Sequence, residues 1–238
     1  MFSHHEPCPN CGSRDNLGRY SDGGAYCFGC HYREKATHYT VRKEKEYEVA
    51  PEISPDFSPE CVAWLAKYGV SLEELVSRDV GFSTARNQLV FRFDGGVWQA
   101  RNFDSRTASS FAGGRRRSKY FTQGAVNDCL PIYDVRNTSP APEVLVLVED
   151  CISAIKVARQ YDSMPLLGSN ISYGKLADIS RLYPTVVFWL DADKLKESRA
   201  LADRAKLLGI NSRVVYTKLD PKEYSDVAIQ AQVEPKDA

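Results

Sequence analysis

Two short apolar runs in this chain end in carboxylates, and they restrict its fold more than anything else in it. VLVLV (144–148) stops at Glu149, and TVVFWL (185–190) stops at Asp191-Ala192-Asp193. Both runs are β-branched and aliphatic, and a helical pattern follows each. Near-continuous apolar runs of strand length mark strands buried on both faces, the signature of a parallel βαβ sheet. In such sheets ligands bind beyond the carboxyl ends of the strands, so Glu149, Asp191 and Asp193 are expected on one rim. Carboxylates gathered at one place repel unless a cation lies among them. Hard oxygen ligands suit Mg²⁺, which takes a few carboxylates together with substrate phosphates.

A third acidic position follows the last apolar run, in Lys218-Leu219-Asp220-Pro221-Lys222-Glu223. Asp220 is the candidate that completes the metal site, and Lys218 the cation beside phosphate. In phosphoryl or nucleotidyl transfer, two divalent ions ~3.5–4 Å apart stabilise the attacking and leaving oxygens. The plainer reading is that Asp150 and Asp193 cap the helices after them. That reading leaves the pairing of Glu149 with Asp191 at two strand ends unexplained. Gly168…Gly174-Lys175-Leu176 approaches a nucleotide P-loop but has one residue too many and lacks the final Ser/Thr, which argues against an NTP-driven motor.

The first cysteines set a separate constraint. Cys8, Cys11, Cys27 and Cys30 are spaced C-x2-C-x15-C-x2-C, so two knuckles can present four thiolates to one zinc. Pro9, Gly12 and Gly29 suit the tight backbone there. Residues 1–35 hold too little apolar surface for a core, so metal must organise them. Arg14, Arg19, Tyr20, Asp22, Tyr26 and Phe28 fit two readings: a surface for unstacked bases, or cover over the metal. His31 stands next to a site already full, and His4, His5 and His38 read as surface residues. Cys61, Cys129 and Cys151 lie in apolar contexts and read as buried thiols. An odd count of seven without a secretion signal argues against a disulfide framework.

Between these ends the chain divides further. Residues 36–57 carry the charge run VRKEKEYE, with Pro51, Pro55 and Pro59 at or just beyond their end, and read as a flexible linker. Residues 58–142 read as a mixed α+β subdomain. Ser58 and Ser71 are N-caps, Gly69 and Gly81 helix stops, and QLVFRFD, VWQARNF and SKYFT are strands, the first two joined by a turn at Asp94-Gly95-Gly96. Residues 143–225 alternate strand and helix, and 226–238 read as a polar tail. Lys+Arg and Asp+Glu number 31 each, so total charge says nothing about partners and local clusters must be read instead. One cluster stands out: Arg101, Arg106, Arg115, Arg116, Arg117 and Lys119 accompany a single acid, Asp104, with Phe103, Phe111 and Tyr120 among them. It is either a phosphate-tracking loop with stacking aromatics or a solvated turn. No run approaches a membrane span of ~18–20 residues, and the N-terminus lacks the build of a signal peptide. A cytoplasmic protein is the expectation.

Together these residues resemble DnaG-type primases, and in particular the primase half of tailed-bacteriophage primase–helicases. YSDGGAYCFGC is similar to their second zinc knuckle, SKYFTQG to a basic strand of their RNA polymerase domain, and LDPKEY to their third acidic motif. The resemblance covers the chain from about Cys8 to Tyr224. It implies an α/β fold: a four-cysteine zinc ribbon, then an RNA polymerase domain made of the mixed subdomain and a TOPRIM parallel-sheet unit. It implies a DNA primase making short RNA primers on single-stranded DNA in phage-type replication. Glu149, Asp191 and Asp193 would hold magnesium or manganese, with Asp220 assisting. Lys119, Arg101, Arg115, Arg116 and Arg117 would hold nucleotide or template phosphate, and the ribbon would select the template. Ribonucleoside triphosphates, a separately encoded replicative helicase and a DNA polymerase are the implied partners, in the host cytoplasm if the chain is phage-encoded.

Two departures matter. The usual Glu-Gly-x-x-Asp reads Glu149-Asp150-Cys151-Ile152-Ser153, so one metal is expected to be held less firmly. Gly24 stands where some phage ribbons carry a template-contacting His. The competing classes are a non-catalytic single-stranded DNA-binding protein (a RecR-like mediator or a decayed primase) and a TOPRIM nuclease.

Overall fold

The computed structural model describes residues 2–37, 46–103, 118–135 and 143–234. The chain divides into two compact units, Met1–Glu46 and Tyr47–Ala238. Arg106, Phe111 and Arg115 to Arg117 of the basic cluster, and His38, lie outside the described residues.

The first unit is a four-stranded antiparallel sheet in the order β1-β2-β3-β4. Its strands are β1 (Phe2–Glu6), β2 (Leu17–Tyr20), β3 (Ala25–Cys27) and β4 (Arg33–Glu34). Among the described residues its core is Cys8, Leu17, Ala25 and Cys27, with Cys30 and Tyr32 packed against them.

The second unit holds two sheets. The antiparallel one runs β5 (Val80–Ser83), β6 (Gln88–Arg92), β7 (Trp98–Asn102), β8 (Tyr120–Gln123). The helices α1 (Pro59–Ala66) and α2 (Leu72–Val76) precede it. Ser58 and Ser71 cap them, accepting from the amides of Cys61 and Glu74. The hairpin turn at Gly95 and Gly96 takes positive φ at both glycines, which their lack of Cβ permits. The parallel sheet has the order β10-β9-β11-β12. Its strands are β9 (Val144–Val148), β10 (Asp162–Pro165), β11 (Thr185–Phe188) and β12 (Asn211–Val214). Helices α3 (Cys151–Val157), α4 (Tyr173–Ser180) and α5 (Leu195–Leu207) connect them.

Alternation along β9 and β11 builds two cores. Leu145, Leu147, Val186 and Phe188 pack with Leu176, Ile179, Leu201 and Ala205 from α4 and α5. Val146, Val148, Val187 and Trp189 pack with α3 and with Leu65, Leu75, Phe82 and Phe91. The second core therefore runs without a break from the parallel sheet into the antiparallel one.

Four details differ from the sequence reading. Gly81 does not stop a helix: α2 ends at Val76, and Gly81 lies inside β5, where a Cβ would come within 2.9 Å of Ile53. Residues 48–57, assigned to a linker, are strapped to the second unit. Ser54 bridges Phe82 through two backbone hydrogen bonds, Trp98 Nε1 donates to the Glu48 carbonyl at 2.8 Å, and Arg92 donates to the Pro51 carbonyl at 2.7 Å. The start of the assigned tail is a helix, α6 (Asp226–Val233), with Ile229 and Val233 in the core. In the second knuckle the left-handed position is His31, not Gly29.

Candidate metal centre and phosphate cleft

The two zinc-type knuckles repeat one backbone pattern. The residue after each second cysteine donates to the first cysteine's carbonyl, Gly12 to Cys8 and His31 to Cys27. Both of these residues have positive φ. Each first cysteine donates onward, Cys8 to Ser13 and Cys27 to Tyr32. The result brings four thiols within 4.8 Å of one another. Cys8 and Cys30 Sγ are 3.7 Å apart, and Cys11 and Cys27 Sγ 3.8 Å. A tetrahedral zinc with Zn–S of ~2.3 Å requires sulfurs about 3.8 Å apart, so the cage fits that ion and no disulfide joins its members. Asn10 donates to Cys30 Sγ and helps hold that thiol down at about 6. His31 takes no part; its Nδ1 meets the Tyr26 hydroxyl at 2.6 Å.

One face of the ribbon carries a continuous aromatic row. Ring centroids of Phe2 and His5 are 4.8 Å apart, His5 and Phe28 6.2 Å, and Phe28 and Tyr26 5.1 Å. Arg33 covers Tyr26. Phe2 and Phe28 are about half exposed. Phe2 and His5 were missed as members of this row because β1 is polar and carries no apolar alternation. Arg19, one of the residues open to either reading, clamps the sheet through ion pairs to Glu6 and Glu34.

In the second unit, the parallel strands end at a cleft of about 330 Å³. Trp64, Tyr68, Arg101, Lys119, Glu149, Asp191 and Lys222 are among the residues that line it. β9 and β11 are neighbours, so Glu149 and Asp191 arrive side by side. Glu149 Oε2 and Asp191 Oδ1 are buried and have no hydrogen-bond partner among the described residues. Burial raises Glu149, with Asp193 and Asp150 adding to it. Burial pushes Asp191 up to about 7, reinforced by Asp150, Asp220 and Glu149 against the pull of Lys222. Buried, orphaned carboxylate oxygens are costly, and a divalent cation is the partner whose chemistry fits them. Asp193 is three-quarters exposed and pairs with Lys194 at 3.3 Å. It does not cap α5, whose N-cap is Lys194.

Asp150 is fully engaged by protein. Its Oδ1 accepts from the Ile152 and Ser153 amides, and its Oδ2 from the Ser153 hydroxyl and Lys222. Ser153 is wholly buried in this cap. Asp220 accepts from the Ala192 amide at 3.3 Å and opens the 3-10 turn Pro221–Glu223. Lys222 Nζ lies 2.8 Å from Asp150, 3.0 Å from Asp220 and 3.7 Å from Asp191. Burial opposes its charge, but these carboxylates hold the ammonium well above the ordinary lysine range. Sequence reading placed the cation at Lys218, which is exposed and does not line the cleft. Lys222, four residues on, reaches the site.

The opposite wall is basic and aromatic. The Arg101 guanidinium lies 3.9 Å from the Trp64 ring centroid and donates to the Tyr120 hydroxyl at 3.2 Å. Desolvation, with the positive charges of Arg101 and Lys222, pulls Lys119 below the usual lysine range. Lys175 of the P-loop-like stretch is buried and donates to the Val126 carbonyl at 3.0 Å, so it faces no ligand.

No family model matches the sequence, and no curated protein matches it. Solved structures do. The zinc-binding and RNA polymerase domains of the Aquifex aeolicus primase align over 98% of this chain and 79% of theirs, at a TM-score of 0.59 and 11% identity. The DnaG primase catalytic domain bound to single-stranded DNA covers 73% of this chain and 70% of its own, at 0.52 and 16%. The fold is thus that of DnaG-type primase domains: a four-cysteine module followed by an α/β unit with a parallel sheet. The primase fragment of the bacteriophage T7 primase-helicase protein covers 98% of this chain and all of its own, at 0.49 and 18%. At these identities the likeness is one of fold. No described helix is long and apolar enough to cross a membrane.

Proposed function

We propose that this chain is a DNA-templated primase that joins ribonucleotides on single-stranded DNA, with the cysteine cage holding zinc and the cleft holding Mg²⁺. The observation that carries this reading is the pair of orphaned oxygens, Glu149 Oε2 and Asp191 Oδ1, at adjacent strand ends, faced across one cleft by Arg101 and Lys119. Carboxylates that need a cation, set opposite cations that need an anion, suit a metal-bound polyphosphate.

Glu149, Asp191 and Asp193 would hold Mg²⁺, which supplies charge neutralisation on the triphosphate and activation of the attacking hydroxyl. Arg101 and Lys119 would grip phosphate. Trp64 braces the Arg101 fork so that binding freezes little side-chain motion. Asp220 and Lys222 hold the rim in register. The exposed row from Phe2 to Tyr26 offers unstacked template bases a stacking surface. Arg115 to Arg117 belong to this proposal by sequence alone. A replicative helicase and a DNA polymerase are the partners this role requires.

The test is incubation with randomised single-stranded DNA, the four ribonucleotides and Mg²⁺. Oligoribonucleotides are expected. Asp191→Ala and Asp193→Ala should abolish them with zinc content and circular dichroism unchanged. The ion pairs of Lys222 with three carboxylates favour a second reading, a non-catalytic single-strand binder. DNA binding with no RNA product on any template would select it.

A further inference from the structure

Three carboxylates line this cleft, Glu149, Asp150 and Asp191; Asp220 reaches it through Lys222, and Asp193 is near enough to Glu149 to raise it. They are not equivalent. The oxygens of Asp150 are all spent on the α3 cap, Ser153 and Lys222. Asp220 is divided between the Ala192 amide and Lys222. Asp191 turns Oδ2 toward Lys222 and leaves Oδ1 without a partner. Lys222 itself is fixed. Its side chain is 13% exposed, it follows buried Pro221 in the 3-10 turn, and its ammonium lies 6.0 Å from the Tyr68 ring centroid.

We infer that Lys222 is a built-in cation that fills one cation position of the carboxylate rim, so that the rim takes a single divalent ion, on Glu149, Asp191 and Asp193. The inference rests on the metal-binding reading proposed above and deepens it. A second divalent ion among Asp150, Asp191 and Asp220 would meet a buried ammonium at contact distance, and these carboxylates could serve it only by releasing that ammonium. Ser153 belongs to the same device. Its hydroxyl shares Asp150 Oδ2 with Lys222, and it adds no negative charge to draw in another metal. Among the described residues, only the four cysteines bring three or more metal-ligating side chains within 4.8 Å of one another, so Glu149, Asp191 and Asp193 are not a closed triad either, and the exposed Asp193 would have to turn in to complete the single site. Asp150, Asp191 and Asp220 are instead grouped around the ammonium, at 2.8, 3.7 and 3.0 Å from Nζ. In the proposed reaction the leaving phosphates would then be neutralised by fixed cations, Lys119 and Arg101, rather than by a second metal.

The experiment is a Mn²⁺ titration of the zinc-loaded full chain without nucleotide, with free Mn²⁺ followed by electron paramagnetic resonance. The wild type should bind one equivalent. Lys222→Met, which removes the charge and keeps the stem, should bind two, and Lys222→Arg one. Asp193→Asn should weaken the single site by about tenfold or more. A wild type that binds two ions overturns the inference while leaving the metal-binding reading intact, as does a folded Lys222→Met that still binds one. A wild type that binds none overturns both. If Lys222→Met does not fold, the wild-type count alone decides.

Discussion

Replacing Asp191 by asparagine should stabilise the protein and silence it at once. Asp191 is held up at about 7 by burial and by its carboxylate neighbours, whereas an aspartate in the unfolded chain ionises near ~3.9. The sign follows from proton counting. As pH rises from about 4 to about 7 the unfolded chain has lost this proton and the folded chain has not, so stability falls across that interval. Below it the group contributes nothing, and above it the penalty is complete. A gap of about three pH units is worth roughly 4 kcal/mol. Asp191 is 23% exposed, and the value of about 7 already includes the pull of Lys222; solvent screening at a partly exposed site brings the net gain down to about 2 kcal/mol. In a unit of this size that corresponds to about 4–8 °C in Tm.

The assay is thermal unfolding without added divalent metal, followed by tryptophan fluorescence. All three tryptophans, Trp64, Trp98 and Trp189, lie in the second unit, so the signal reports the unit that holds Asp191. The advantage of Asp191→Asn should be full at pH 8 and shrink to about a third at pH 5. A variant no more stable than wild type at pH 8, or a gain that does not change between pH 5 and pH 8, would refute the reasoning.

Three further outcomes are expected. Cys27→Ser, or removal of zinc by a chelator, should unfold the first unit, because structural zinc contributes about 10–16 kcal/mol and, among the described residues, only Leu17 and Ala25 accompany the cysteines in its buried core. Amide NMR dispersion should be lost for residues 2–37 while the tryptophan transition stays in place. Phe28→Ala should weaken single-stranded DNA binding by about fivefold or more, in line with ~1–3 kcal/mol per stacked base, without releasing zinc; fluorescence anisotropy reads the first effect and metal analysis the second. Arg159 donates to Glu74, Asp226 and the Gly69 carbonyl, so Arg159→Met should destabilise the second unit by about 3 kcal/mol, measured by urea unfolding.

What the sequence disclosed was local. A knuckle is defined by cysteines three residues apart, which was enough to pick out all four ligands, although the sulfur distances recorded run between the two knuckles, Cys8 to Cys30 and Cys11 to Cys27. Glu149 and Asp191 were legible because an apolar run names its own end, and parallel topology places adjacent ends together. The rest depended on contacts between distant residues. Lys222 could not be told from Lys218 without knowing that the turn after Pro221 folds back over the start of α3. The strap at 48–57 is held by backbone hydrogen bonds to Phe82 and the Trp98 ring, which leave no apolar pattern. The first strand reads FSHHE, mostly polar and exposed, so only pairing with β2 reveals it.

The core that joins the two sheets of the second unit has a mechanical consequence. The wall bearing Arg101 and the rim bearing Asp191 are anchored in one packed interior, in which Phe82 and Phe91 share a cluster with Val148 and Trp189. Neither wall can swing without opening that interior to water. The cleft therefore keeps a fixed width and its charges a fixed aim, the preorganisation on which the proposed nucleotidyl transfer would draw. The same linkage makes the cleft sensitive to damage far from it: a cavity cut beneath β6 loosens the seat of the carboxylates as directly as one cut beneath β9.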